Sequence, residues 1–169
     1  SGWERMGLAG DSVVSVFIAK YGEYLPREKG VRGKAIPKEL VGDGKAFRVL
    51  VADDSGETRE LLFEVLSSME CIVTCVKDGL EALATLQAEP FDLLITDYQM
   101  PRLDGLALLR CLQASTCCLP SILITGHHNP PAVIQEARQA GVTLVMTKPF
   151  AIPDLRSLVE SIRTHRLAR

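Results

Sequence analysis

From Arg48 onward, short apolar runs alternate with stretches whose apolar residues recur every three to four positions. Val49-Leu50-Val51 reads as a strand, and Leu61, Leu62, Val65, Leu66 and Met69 read as one face of the helix behind it. A strand changes sides at every residue, whereas a helix returns to the same side after about 3.6. The alternation continues through Cys71–Val76, Leu80–Leu86, Leu93–Thr96, Leu106–Leu112, Ile122–Thr125, Val133–Ala140, Val142–Met146 and Leu155–Ile162. Five βα units are expected. Strands that are apolar throughout imply burial on both faces, so the expected class is α/β, a doubly wound parallel sheet between layers of helices. Gly105, Gly126 and Gly141 punctuate the joints, and Pro101, Pro120, Pro130, Pro131, Pro149 and Pro153 are expected between elements. The last helix reaches almost to Arg169, so no effector domain is expected behind it within this sequence.

Residues 1–46 differ in texture. Gly-rich and basic stretches such as Arg27-Glu28-Lys29-Gly30-Val31-Arg32-Gly33-Lys34 flank the apolar segment Val13–Ile18. Eight Lys or Arg against six Asp or Glu give this region +2, while the remainder carries −4. Asp11 can cap a short helix carrying Val13, Val14, Phe17, Ile18 and Tyr21, but the β-branched run Val13-Val14-Ser15-Val16 suits a strand equally well. The expected organisation is an N-terminal extension or linker over 1–46, with one docked helix or strand, and one domain over 47–169. A start at Ser1-Gly2 instead of Met suggests a tag remnant or an excised piece.

Composition narrows the class further. With 169 residues, 47% of them apolar, the chain can bury a core without covalent staples. Cys71, Cys75, Cys111, Cys117 and Cys118 follow neither a CxxC nor a Cys/His zinc spacing, and they are read as reduced thiols. No apolar run approaches the roughly 18 residues that span a bilayer, and no signal-peptide pattern opens the sequence. A cytoplasmic protein without membrane contact is expected. A net charge of −2 with no arginine or lysine stripe argues against nucleic acid as a direct partner.

In an open parallel sheet, ligands bind beyond the carboxyl ends of the strands, so polar residues ending apolar strands are the first candidates for chemistry. Four strands qualify: the first ends in Asp53-Asp54, the third in Asp97, the fourth in Thr125, and the fifth runs into Lys148-Pro149. Three carboxylates on one rim repel unless a cation intervenes, and an all-oxygen cluster selects a hard cation such as Mg²⁺. Such a cluster with a hydroxyl and an ammonium is suited to phosphoryl transfer, with Asp97 as nucleophile. An Asp-Asp pair alone is often only a helix cap, and a Lys-Pro alone a surface turn. The four strand ends together carry the reading.

The segments Val49-Leu50-Val51-Ala52-Asp53-Asp54, Asp97-Tyr98-Gln99-Met100-Pro101-Arg102-Leu103-Asp104-Gly105, Thr125-Gly126 and Thr147-Lys148-Pro149-Phe150 resemble the response-regulator receiver family over about Phe47–Arg166. The resemblance implies a flavodoxin-like (βα)5 sheet in the order 2-1-3-4-5. It implies Asp97 as phospho-acceptor and metal ligand, Asp54 as a direct Mg²⁺ ligand, Asp53 as an acid holding the metal through water, and the backbone carbonyl of Gln99 as a further ligand. Thr125 matches the hydroxyl that meets the phosphoryl group, Lys148 matches its cationic partner, and Pro149 follows a cis bond. A histidine kinase or histidine phosphotransfer protein is the implied donor, with a downstream protein as a target.

Some positions depart from that pattern. Val145 stands where the family usually has Tyr or Phe as a rotameric switch, and Val142-Thr143-Leu144 lacks the acidic residues of one dimerising subfamily. Gln99 and His127 occupy the places that flank the hydrolytic water. His127-His128 without further spaced ligands reads as an exposed loop, Met100 as packing, Pro101–Gly105 as loop shape, and Cys117-Cys118 as inert for want of a basic neighbour. Two rivals stand beside the switch. One is a non-switching pseudo-receiver scaffold, hinted at by Val145. The other is a dehalogenase-type phosphatase, which expects a second Asp where Gln99 stands.

Overall fold

The computed structural model of the protein describes residues 46–115, 118–126 and 131–167, with side chains as far as Thr164. The element expected within Val13–Tyr21, along with Cys117, His127, His128 and Pro130, lies outside the described residues. The chain alternates β1 (Arg48–Ala52), α1 (Gly56–Ser67), β2 (Ile72–Val76), α2 (Gly79–Ala88), β3 (Leu93–Asp97), α3 (Gly105–Ala114), β4 (Ser121–Thr125), α4 (Pro131–Gln139), β5 (Leu144–Thr147) and α5 (Ile152–Leu167). All neighbouring strands are parallel, in the order β2-β1-β3-β4-β5. The five βα units and the flavodoxin-like order are as expected from the sequence.

The period of two along each strand sorts its side chains between two cores. Leu50, Ala52, Leu94 and Leu123 face one layer, where α2, α3 and α4 supply Leu80, Leu83, Leu106, Leu109 and Ala137. Val49, Val51, Leu93, Ile95, Ile122 and Ile124 face the other, against Leu62, Val65 and Leu66 of α1 and Leu155, Val159 and Ile162 of α5. Burying a Leu or Ile fully is worth about 1.5–3 kcal/mol, so these double-faced strands are the main source of stability.

Three expectations need correction. Burial on both faces holds for β1, β3 and β4 but not for the edge strands: the first four residues of β2 and the first two of β5 are only half-buried and Thr147 is exposed, because an edge strand has a neighbour on one side alone. Leu61 is 43% exposed and not part of the buried stripe. It lies about a quarter turn from the seam that Leu62, Val65, Leu66 and Met69 define. Pro131 and Pro153 sit within the first turns of α4 and α5, not between elements. A helix start tolerates proline because its N–H groups lack intrahelical partners there.

The chain leaves β1 for β2 on one side and returns to β3 on the other, opening a crevice between the carboxyl ends of β1 and β3. The loops on that edge begin helices with side-chain caps. Ser55 accepts from the Thr58 N–H, Asp78 from those of Leu80 and Glu81, and Asp104 from that of Ala107. Among the described residues, no helix is long and apolar enough to cross a membrane.

Candidate functional site

Asp97 ends β3 at the floor of the crevice. The β1–β3 register runs from Val49 beside Leu93 to Ala52 beside Thr96, and one further step brings Asp53 alongside Asp97. Asp53 is buried, at 1% exposure, while Asp54, the next residue, turns outward. One carboxylate oxygen from each of Asp53, Asp54 and Asp97 lies within 4.8 Å of the others. On the far side of Asp97, Thr125 ends β4 beside Thr147 of β5, and the Thr125 carbonyl accepts from the Lys148 N–H at 2.7 Å. Lys148 is thereby held at the rim, and the Lys148–Pro149 bond is cis. Its Nζ lies 3.2 Å from Asp97 Oδ1 and 3.3 Å from Asp53 Oδ2.

Electrostatics follow from this crowding. Burial, then the charge of Asp53, pushes the Asp97 carboxyl above its ordinary value; Lys148 offsets part of the effect and Asp54 adds to it. Burial by itself would lower the Lys148 ammonium, but Asp53 and Asp97 outweigh it and hold the group above its usual value. One ammonium faces three carboxylates, so negative charge is in excess where a cation would be held. The donor set is all oxygen and spans a few ångströms, which fits a hard cation such as Mg²⁺.

Of the residues picked from the sequence, Asp53, Asp54, Asp97 and Lys148 come together, and Thr125 lies buried on the same edge. Gln99 is exposed, in the loop that follows Asp97. Met100 is buried in the α2–α3 core, in keeping with a packing role. Gly105 explains part of the loop's shape: a Cβ there would overlap the carbonyl oxygen of Asp97 itself, so α3 can start this close to Asp97 only from a glycine.

Sequence reasoning missed three supporting residues. Arg59, on α1, donates from Nη1 to the Asp53 carbonyl at 2.7 Å. Asp78, the N-cap of α2 just beyond β2, is buried and pairs with Arg102 from the loop after β3. The Asp-Gly at 78–79 before a helical stretch is a legible cap signal, but nothing in the sequence ties it to an arginine 24 residues away.

The response regulator receiver domain model matches residues 49–160, which contain every residue of this site. The chain belongs to that family. The receiver is 33% identical over 119 residues to the chemotaxis protein CheY of Pseudomonas aeruginosa, covering 69% of this chain and 95% of that one. It is 35% identical over 117 residues to the DNA-binding transcriptional regulator NtrC of Salmonella typhimurium. That match covers 69% of this chain but 25% of NtrC, so the receiver corresponds to about a quarter of that relative's length. Among solved structures, chemotaxis protein CheY4 of Vibrio cholerae superposes with a TM-score of 0.64 at 28% identity, covering 70% of this chain and 99% of that one. Receiver domains bind Mg²⁺ at an acidic site and accept phosphoryl groups from histidine kinases or phosphotransfer proteins.

Proposed function

We propose that this receiver takes a phosphoryl group onto Asp97 and thereby switches the binding of a protein partner in two-component signalling. The observation that carries the reading is the triad of carboxylates within 4.8 Å, with Lys148 bridging Asp53 and Asp97. A carboxylate oxygen of Asp97 attacks the donor phosphorus. As the O–P bond forms, the P–N bond of a phosphohistidine breaks, and the electron pair leaves with the imidazole. Asp54, Asp97 and the Gln99 carbonyl would hold Mg²⁺, with Asp53 acting through water, and the ion would supply positive charge against the phosphoryl oxygens. Lys148 moves its pairing from the carboxylates to the new phosphoryl group, and the Thr125 hydroxyl donates to a phosphoryl oxygen. Water later returns Asp97 to a carboxylate, at a rate tuned by Gln99 and His127. In this reading residues 47–169 form the receiver, 1–46 are an extension or linker, and the protein works in the cytoplasm without direct contact with nucleic acid or membrane. Its donor is a histidine kinase or phosphotransfer protein.

A second reading rests on Val145, which is half-buried against the α2–α3–α4 core where the family usually has an aromatic switch. It makes the domain a scaffold that keeps the acids without using them. Intact mass after incubation with acetyl phosphate and Mg²⁺ separates the two. The switch predicts a gain of about 80 Da, one phosphoryl group, that is absent in Asp97→Asn. An unmodified wild-type chain favours the scaffold, and equal labelling of the variant removes Asp97 from its role.

A further inference from the structure

The loop from Tyr98 to Asp104 carries Gln99, and its backbone is held by contacts outside the acidic cluster. Arg102 lies at φ +66°, the left-handed region that a side chain with a Cβ rarely adopts. Such a conformation persists only where its surroundings over-determine it. Here they do so through Asp78, whose side chain is 2% exposed. One oxygen of Asp78, Oδ1, accepts from the Leu80 and Glu81 N–H groups at 2.9 and 3.0 Å and so caps α2. The other, Oδ2, accepts from Arg102 Nε at 3.0 Å and from Arg102 Nη2. The fork of the guanidinium is thus docked on a buried carboxylate already fixed to a helix start, a charge-assisted and geometrically specific contact.

The neighbouring residues tighten the same junction. Leu103 is buried, and its N–H donates to the Pro101 carbonyl at 2.7 Å. A Cβ on Gly79 would overlap the Leu103 carbonyl oxygen, so α2 and the loop meet backbone to backbone. At the loop's end the Gly105 N–H donates to the Tyr98 carbonyl at 2.9 Å. The segment between Asp97 and α3 is therefore closed at its base and pinned at its tip. Glu70, the other non-glycine residue with positive φ among those described, lies in the turn after α1.

We infer that the Arg102–Asp78 ion pair is a positioning device that holds the acceptor loop so that the Gln99 carbonyl is presented to Mg²⁺ beside Asp54 and Asp97. The inference rests on the proposed phosphoryl-acceptor reading. Neither residue touches the metal. Both act on the backbone that would supply a ligand, and partners of metal ligands typically change affinity by about 10- to 100-fold when removed.

The test is calorimetric titration of the whole chain with Mg²⁺. Arg102→Ala and Asp78→Asn are each expected to weaken binding by about 10-fold, and the double variant to be no weaker than either single one, because the two residues act as one contact. Asparagine can still cap α2, so Asp78→Asn removes the charge without removing the helix start. Arg102→Lys, which restores the charge but not the fork, is expected to recover part of the loss. A merely structural role would lower the unfolding midpoint of Arg102→Ala and leave its Mg²⁺ affinity untouched. Wild-type affinity in Arg102→Ala, with binding lost in an Asp54→Ala control, overturns the positioning role alone. Absence of Mg²⁺ binding by the wild-type chain overturns the acceptor reading and the positioning role together.

Discussion

The two ends of the sheet handle buried charge in opposite ways. At the amino end, each half-buried arginine has a carboxylate partner, although the Nε of each is buried without a hydrogen bond. Arg163 lies over the Phe47 ring at 5.3 Å, donates to the Met69 carbonyl at 2.6 Å and pairs with Glu160 at 3.4 Å. Arg48 lies over the Phe91 ring at 5.3 Å and pairs with Glu89. At the carboxyl end, three carboxylates cluster and one lysine pairs with two of them, and the Asp97 carboxyl is driven above its ordinary value by burial and by Asp53. The amino end pairs each arginine with a carboxylate already in the chain and leaves only the two Nε–H groups without a partner. The carboxyl end leaves negative charge over, as a site must if it is to gain by binding a cation. The same five strands support both, and the loops decide which end is settled and which is poised.

The sharpest way to break this division is Gly105→Ala. The added methyl overlaps the Asp97 carbonyl oxygen and meets Leu123, so either β3 or the start of α3 must move. We expect a loss of about 3 kcal/mol in urea unfolding, the upper end of what over-packing costs, together with slower labelling by acetyl phosphate. A variant that loses stability yet labels at the wild-type rate would show that the position of Asp97 does not depend on this contact.

The reciprocal variant, Arg163→Ala, tests the amino end. It removes a stack on Phe47 and a hydrogen bond to a backbone carbonyl, together worth about 1–2 kcal/mol. Mg²⁺ affinity should stay within about twofold, because distant sites without shared partners contribute nearly independently. A change in Mg²⁺ binding as large as the change in stability would join the two ends into one cooperative system and erase the contrast.

How far the sequence reveals each end follows from the range of the forces involved. Alternation of apolar residues is local, so the strands, their helices and the polar residues at the strand ends could be read directly, and Asp53, Asp97 and Lys148 were found without coordinates. Burial could be read only where both flanks of a strand are covered. That is why β2 and β5, at the sheet edges, and Leu61, beside the helical seam, read as more buried than they are. The supporting contacts were hidden because each joins residues far apart through backbone geometry. Arg102 reaches Asp78 only because its φ is positive, and Arg163 meets Phe47 only because α5 packs back over the start of β1. Arg59 meets a carbonyl, a group with no sequence identity at all.

The smallest expected effect is also the most direct measure of the uncompensated charge. The folded protein holds a proton on Asp97 more tightly than the unfolded chain does, since burial and Asp53 raise this group from its ordinary value of 3.8. Across the window from that value up to the raised one, the folded state therefore binds more protons. This group's contribution to stability must fall as pH rises and remain lost above the window. Lys148 does not mask the effect. Its value is raised from 10.5, so its favourable contribution is complete at neutral pH and is lost only as pH climbs through that higher range. Asp97→Asn removes the titrating carboxyl and leaves Lys148 its pairing with Asp53. In metal-free buffer at neutral pH the variant should be more stable than the wild type, by about 1 kcal/mol, a common size for a single-site change. That advantage should shrink as both are acidified through the carboxylate range, because protonation gives the wild type the same relief. Urea unfolding of both chains from about pH 4 to about pH 8, with a chelator present, reads the difference directly. Ordinary carboxylates cancel in the comparison. Added Mg²⁺ should reverse the order, because a ligand that binds the folded wild type stabilises it and the amide binds it poorly. A variant no more stable than the wild type at neutral pH would mean that the Asp97 charge is already compensated, and the carboxyl end would then be as settled as the amino end.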